Sequence, residues 1–317
     1  MKRFLAWILP AVLLLTMAGC GKEDKKTMTM GTGHPEGIYY SYGGVLGQQI
    51  KDNAGVSVTV KATEGSRANI EGMASGEFQM SILQSDVMSY AWQGRRDFEG
   101  ARVDSLRAIT ALYTEPVQLI SVNPEIHYCD ELQGMRISLG APGSGIFYNA
   151  MDVLDAVSLT LEDIQPRYYN LEETLAGLQD GSLDAAFIVS GTPMPALQNL
   201  KKTVDFRVVP IEGPVAERIL TSCSFYEPYV IPAGTYENQP SDVRTLGVRA
   251  VLVVSADESK DTVYNMTRAI FENLDAVRSC NTMGKNLSAD SVAKGVSVPF
   301  HPGAEKYFRE MDISLKP

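Results

Sequence analysis

Four short segments rich in glycine and serine carry the residue types best suited to holding a small anion. They are Gly31-Thr32-Gly33-His34-Pro35-Glu36-Gly37-Ile38-Tyr39-Tyr40, Thr63-Glu64-Gly65-Ser66-Arg67-Ala68-Asn69, Gly140-Ala141-Pro142-Gly143-Ser144-Gly145 and Ser190-Gly191-Thr192-Pro193-Met194-Pro195. Each lies between a strand-like run and a helix-like run. The first turn of a helix leaves N–H groups without partners and carries a partial positive charge. Glycine lets a ligand approach the backbone closely. Such loops can hold a carboxylate without any charged side chain. Ser66, Ser85 and Ser144 equally suit capping of their own helices, so the argument rests on the set and not on one loop.

The candidate ligand contacts are Thr32, Gly33, His34, Tyr39 and Tyr40 from the first loop and Ser66 and Asn69 from the second. Gln84, Ser85 and Asp86 come from a further polar loop, Gly143, Ser144 and Gly145 from the third segment, and Gly191, Thr192 and Pro193 from the fourth. Tyr39, Tyr40, Tyr113, Tyr226 and Tyr229 combine an apolar face with a hydrogen-bonding tip, although core packing is the commoner role. Arg67 and Arg136 suit surface ion pairs better than ligand contacts.

Catalytic and cofactor chemistry is not expected. The chain has no G-x-S-x-G elbow and no Ser/His/Asp grouping. His34, His127 and His301 lie far apart, and the cysteines show no zinc spacing. Gly31, Gly33 and Gly37 run G-x-G-x-x-x-G, one residue longer than the dinucleotide fingerprint.

The elements that must position these loops alternate. Strands are predicted at 27–32, 56–62, 78–83 and 106–113, with helices at 38–53, 66–74 and 85–93. The 56–62 strand follows from period-two placement of Val56, Val58 and Val60; Val45, Leu46 and Ile50 give the first helix an apolar face. The rhythm restarts with strands at 117–122, 135–139, 165–170, 183–189, 206–210 and 248–255. Helices accompany them at 145–157, 171–179, 196–202, near 215–220 and at 259–278, and a short one follows Pro302. Such alternation implies α/β lobes, and two rounds imply two. An internal echo agrees: a helix, a glycine stop, a buried strand and a polar loop recur at Gly76 to Asp86 and at Gly181 to Pro193. Ligands of open α/β sheets bind beyond the carboxyl ends of the strands.

The start of the chain decides where it works. Lys2 and Arg3 precede a 12-residue apolar run from Phe4 to Leu15, then Ala18, Gly19 and Cys20. The run is too short to span a bilayer and fits the h-region of a signal peptide. Met17-Ala18-Gly19-Cys20 resembles a bacterial lipobox, with residues 1–19 removed, Cys20 lipidated and 20–26 a charged tether. The protein is then exported and held at the periplasmic or outer face of a membrane. The net charge of −10 and the lack of a basic block argue against nucleic acid. Cys129, Cys223 and Cys280 form no recognisable disulfide framework.

The ordered series Thr32-Gly33…Gly37-Ile38-Tyr39-Tyr40, Glu64-Gly65-Ser66…Asn69, Gln84-Ser85-Asp86, Ala91…Gly94, Gly140…Pro142-Gly143-Ser144-Gly145, Gly191-Thr192-Pro193, Ile231-Pro232-Ala233-Gly234-Thr235-Tyr236 and His301-Pro302-Gly303-Ala304 resembles the TAXI family of solute receptors for TRAP transporters. The resemblance implies an α/β, two-lobe type II periplasmic-binding-protein fold. It implies a non-enzymatic, monomeric receptor for a small organic acid or amino acid, glutamate-like or a dicarboxylate, delivered to membrane permease subunits. Two departures mark this chain: His34-Pro35 follows Gly33, and Ile146 stands where the family has threonine. Lobe 1 is placed at 27–117 plus 250–317 and lobe 2 at 118–249, with hinge strands near 113–122 and 246–255. A receptor for an ATP-driven importer would share lobes and cleft, and stays open as the alternative. An exported hydrolase or an envelope scaffold fits less well.

Overall fold

A computed structural model of the protein describes residues 26–279 and 283–316. The predicted signal peptide, the predicted lipidation site Cys20, and Cys280 lie outside the described residues. The strands are β1 (Thr27–Gly31), β2 (Ser57–Lys61), β3 (Met80–Gln84), β4 (Leu106–Ser121), β5 (Arg136–Ser138), β6 (Gln165–Arg167), β7 (Ala185–Val189), β8 (Arg207–Val209), β9 (Glu227–Ile231) and β10 (Val243–Ser255). The helices are α1 (Ile38–Ala54), α2 (Ser66–Ala74), α3 (Ser85–Gln93), α4 (Ile146–Ala156), α5 (Leu171–Asp180), α6 (Pro195–Lys201), α7 (Gly213–Ser222), α8 (Lys260–Phe271), α9 (Leu274–Ser279) and α10 (Pro302–Glu310).

The strand order is β2-β1-β3-β10-β4-β7-β5-β6, with β8 on β4 and β9 on β10. Each end holds three mutually parallel strands: β2, β1 and β3 at one, β6, β5 and β7 at the other. β3 and β7 are buried at every position, as expected of strands covered by helices on both faces. Between the two ends run the antiparallel strands β4 and β10, paired from Leu106 opposite Ser255 to Pro116 opposite Gly247. Beyond that point β4 turns to β7 and β8, while β10 turns to β9. The apolar core divides at the same place. Leu112, Tyr113, Ala250 and Leu252 pack in one half; Val117, Leu119, Leu246 and Val248 pack in the other. Two strands therefore run between the two halves, and a third cluster bridges them, with Tyr148 of α4 buried among Ile70, Tyr90 and Val251.

Three sequence expectations change. The strands predicted at 106–113 and 117–122 are one strand, because Thr114-Glu115-Pro116 does not turn. Proline pushes its predecessor toward extended backbone, and Pro116 is tolerated opposite Gly247. The helix predicted at 259–278 is broken between Phe271 and Leu274, where the Asn273 side chain donates to the Ala269 carbonyl at 2.8 Å and competes with the helical pattern. β9 was not anticipated; it carries Pro228, which suits an outer strand.

His301 has a structural task. Its Nδ1 accepts the Gly303 N–H at 3.1 Å at the start of α10, and its Nε2 lies 3.0 Å from the Glu258 carbonyl. Arg136 pairs with Asp184, and Arg67 with Glu71 and Asp97. Cys129 and Cys223 are free thiols. Among the described residues no helix is long and apolar enough to cross a membrane, and no group of three His, Cys, Asp or Glu could hold a metal ion.

Candidate functional site

A cavity of about 110 Å³ opens where the two lobes meet. At ~10–15 Å³ per water-sized position it holds roughly ten such positions, the scale of an amino acid or short organic acid. One wall comes from the start of α1 (Gly37, Ile38, Tyr39) and the β2–α2 loop (Thr63, Glu64, Gly65, Ser66). The facing wall comes from the β5–α4 loop (Gly140, Ala141, Ser144, Gly145) and the start of α5 (Asn170, Leu171). Glu115 on β4 lines it where that strand passes between lobes.

The helix starts at this cavity differ in what they have left to offer. α1 and α4 begin at Gly37 and Gly145 with no side-chain cap, and both starts line the cavity from opposite lobes. Their first-turn dipoles point positive charge toward it. α5 is closed by its own capping box, Asn170 with Glu173. α2 is taken by the other lobe: the Gly143 carbonyl accepts the Arg67 N–H at 3.0 Å and the Ala68 N–H at 3.3 Å. Gly143 holds this position with φ of 91°, a conformation that suits glycine.

Seven of the sequence-derived candidates line the cavity: Gly33, His34, Tyr39, Ser66, Gln84, Ser144 and Gly145. The others are placed elsewhere. Tyr40 is exposed on α1. Asn69 is buried and ties three segments together, donating to the Thr32 and Ile82 carbonyls and accepting from Thr63. The Thr32 hydroxyl donates to the Lys61 carbonyl at 2.7 Å. Ser85 accepts the Arg249 N–H. Gly191 packs where a Cβ would overlap Met283, Thr192 lies 3.2 Å from the Tyr229 hydroxyl, and Pro193 follows a cis peptide bond. The four loops thus split between cavity wall and scaffold.

Beside the cavity, a buried polar network joins the lobes. Gln84 donates to Asn149 at 2.8 Å, and Asn149 donates to Asp86 at 2.9 Å and to the Tyr226 hydroxyl at 2.7 Å. The Tyr226 hydroxyl donates to Asp152 at 2.8 Å, and Arg96 closes the chain on Asp152 at 2.6 Å. Tyr148 adds a bond to Asp97. Burial pushes the Asp86 carboxyl up to about 6, Asp152 adds to the shift, and the Gln84 and Asn149 amides hold it down. Burial likewise keeps the Tyr226 phenol protonated.

Glu115 stands apart. Desolvation pushes its carboxyl from an ordinary 4.5 to about 8, against the opposing effect of the Tyr39 hydroxyl, which donates to it at 2.7 Å. Sequence reading missed it because Thr-Glu-Pro has the composition of a turn. The available signal was an acid enclosed by an apolar run, Ala-Leu-Tyr before it and Val-Gln-Leu-Ile after Pro116. Tyr169, Asn170, Leu171 and Thr174 also line the cavity and carried no distinguishing pattern, while the fourth segment reaches it through Ser190 and Met194.

The architecture is similar to that of solved substrate-binding proteins. PhnD1 from Prochlorococcus marinus, in complex with methylphosphonate, superposes with a TM-score of 0.60 at 12% identity, over 92% of this chain and all of that one. A putative L-cystine ABC transporter protein from Listeria monocytogenes gives 0.53 at 15% identity, over 85% and 99% of the two chains. The substrate-binding protein of an amino acid ABC transporter gives 0.50 at 12%, over 81% and 96%. At these identities the likeness establishes the fold: a two-lobe α/β periplasmic-binding-protein architecture, consistent with type II. A family profile matches residues 30–311, nearly the whole described chain, and on that match the protein belongs to the NMT1-like family.

Proposed function

We propose that this protein is an extracytoplasmic solute receptor that closes two lobes over a small organic acid or amino acid and presents it to a membrane importer. The observation that carries the reading is the cavity between lobes, lined by the uncapped starts of α1 and α4 from opposite sides. A solute carboxylate there gains donors from both lobes only when they are closed, so binding and closure reinforce each other. The interlobe bonds from Gly143 to α2 and from Gln84 to Asn149 define the closed form that a permease would read. Hinge motion would run through β4 and β10, with lobe 1 at 27–117 plus 250–317 and lobe 2 at 118–249; the division of the apolar core supports these bounds. Export and anchoring at Cys20 rest on the N-terminal sequence.

Two of the similar structures are named as ABC-transporter proteins, and this favours an ATP-driven partner over the tripartite one. The ordered TAXI-like motifs favour the second. Neither case involves turnover of the solute. The test is mass spectrometry of the small molecule released when the purified protein is denatured. Small-angle scattering of the stripped protein with and without that molecule follows. A released solute that returns unchanged and shrinks the radius of gyration supports the receptor reading. No solute and no closure with any tested amino acid or carboxylate would refute it.

A further inference from the structure

Glu115 is 2% exposed, lines the cavity, and has no cation beside it. Among the described residues no ion pair reaches it, and the cavity wall contains no lysine or arginine. Arg249 is near in sequence register, but it pairs with Glu227 alongside Thr114. Successive residues of a strand face opposite sides, so Thr114 and Arg249 occupy one face and Glu115 the other. Among the described residues the Tyr39 hydroxyl alone serves the carboxyl, which has acceptor capacity for about four donors when ionised. A buried acid left this way is costly unless something else pairs with it. Asp86, the other buried acid of the seam, is met by two side-chain amides.

We infer that Glu115, positioned by Tyr39, receives the ammonium group of the solute, so that the solute is a zwitterionic amino acid and not a dicarboxylate. The inference rests on the receptor reading above and narrows it. A dicarboxylate would bring a second negative charge to a wall with no basic side chain except His34 to receive it, whereas an ammonium favours the ionised form of Glu115 and pairs with it. An amino acid divides its charges to match: carboxylate toward the uncapped helix starts, ammonium toward Glu115. Removing the amine leaves the Glu115 carboxyl without that partner, so binding should weaken about 10- to 100-fold.

The experiment uses the full protein, stripped of solute by denaturation and refolded, and isothermal titration with L-amino acids. Each is matched to its des-amino carboxylic acid, and succinate and glutarate are included. The inference predicts that at least one amino acid binds and that its des-amino counterpart is weaker by 10- to 100-fold. Glu115→Gln should abolish that ratio while keeping the far-UV circular dichroism of the parent. If Glu115→Gln does not fold, the parent panel decides alone. Carboxylic acids or dicarboxylates that bind as tightly as the amino acids overturn the assignment but leave the receptor intact. So does a ratio that survives Glu115→Gln, or an extracted solute without an amine. Absence of any bound or extracted molecule overturns both readings together.

Discussion

Asp86 and Glu115 are both buried carboxyls at the seam between lobes, yet their surroundings differ in kind. Asp86 sits in a chain of side chains that supply one another: Gln84, Asn149, Tyr226, Asp152 and Arg96. Its carboxyl rises only to about 6. Glu115 has one phenol and a cavity, and rises to about 8. A buried polar group that is fully partnered rigidifies a structure; one that is not is a candidate for contact with a ligand. The first region ties the two halves together, and the second leaves a gap in the pairing that the proposed solute amine would fill.

That contrast can be broken from either side, and the largest effect should come from the partnered region. Asn149→Leu removes the donor to Asp86 and Tyr226 and the acceptor of Gln84 at once. With each stranded buried group costing about 1–3 kcal/mol, a loss of about 3 kcal/mol in urea unfolding is expected. A loss below about 1 kcal/mol would mean that the network is hydrated and not a structural joint. Next in size is Gly145→Val, which leaves both lobe cores untouched. A Cβ at Gly145 overlaps the Gln84 amide across the seam, so the lobes should fail to close. Solute affinity should fall about 100-fold, about 2.7 kcal/mol, and the solute-free protein should also melt lower, because the displaced Gln84 amide leaves Asn149 and Asp86. Retained affinity would show that closure does not need that approach.

How much of this was legible depended on local punctuation. The bounds of α2 and α3 follow from the sequence, since Gly65 precedes one and Gly94, in left-handed backbone with φ of 66°, ends the other. Four of the seven cavity-lining candidates, Gly33, Ser66, Ser144 and Gly145, are glycine or serine at helix starts or in the loops that lead into them, a signal carried by neighbours in the chain. The other candidates failed to reach the cavity because the same residue types serve as scaffold: Asn69 spends all its bonds on Thr32, Thr63 and Ile82. Asn149 was invisible because a buried asparagine within a helix has the same letter as an exposed one, and its partners lie 63 to 77 residues away. Glu115 was hidden by Pro116, which suggested a break where the strand continues.

The third effect is in pH. Glu115 holds its proton more tightly in the folded protein than in the unfolded chain, so its stabilising contribution is complete below about pH 4.5 and is lost as pH rises through about 8. Asp86 follows the same sign, from about 3.8 to about 6. Between pH 6 and 8 the two separate, because Asp86 has finished titrating. Solute-free protein should lose roughly 1 kcal/mol per pH unit there, and Glu115→Gln should abolish that slope. Parallel melting curves for the two proteins across this window would show that Glu115 is not desolvated.

The smallest change tests whether the phenol serves the carboxyl or merely packs beside it. The Tyr39 phenol stays protonated throughout the physiological range, since burial and the neighbouring Glu115 raise it well above its ordinary value. It therefore acts only as a donor to Glu115, and donation to an acceptor favours the ionised form. Tyr39→Phe removes that donor without adding volume, so the carboxyl should titrate higher and meet an ammonium less readily at neutral pH. One hydrogen bond contributes about 0.5–1.5 kcal/mol, so amino acid affinity at pH 7 should fall about 2- to 10-fold. The shortfall should shrink as pH is raised, because at higher pH the carboxyl ionises without help. A deficit that stays constant with pH would place Tyr39 in packing alone, and would separate the phenol from the ionisation of Glu115.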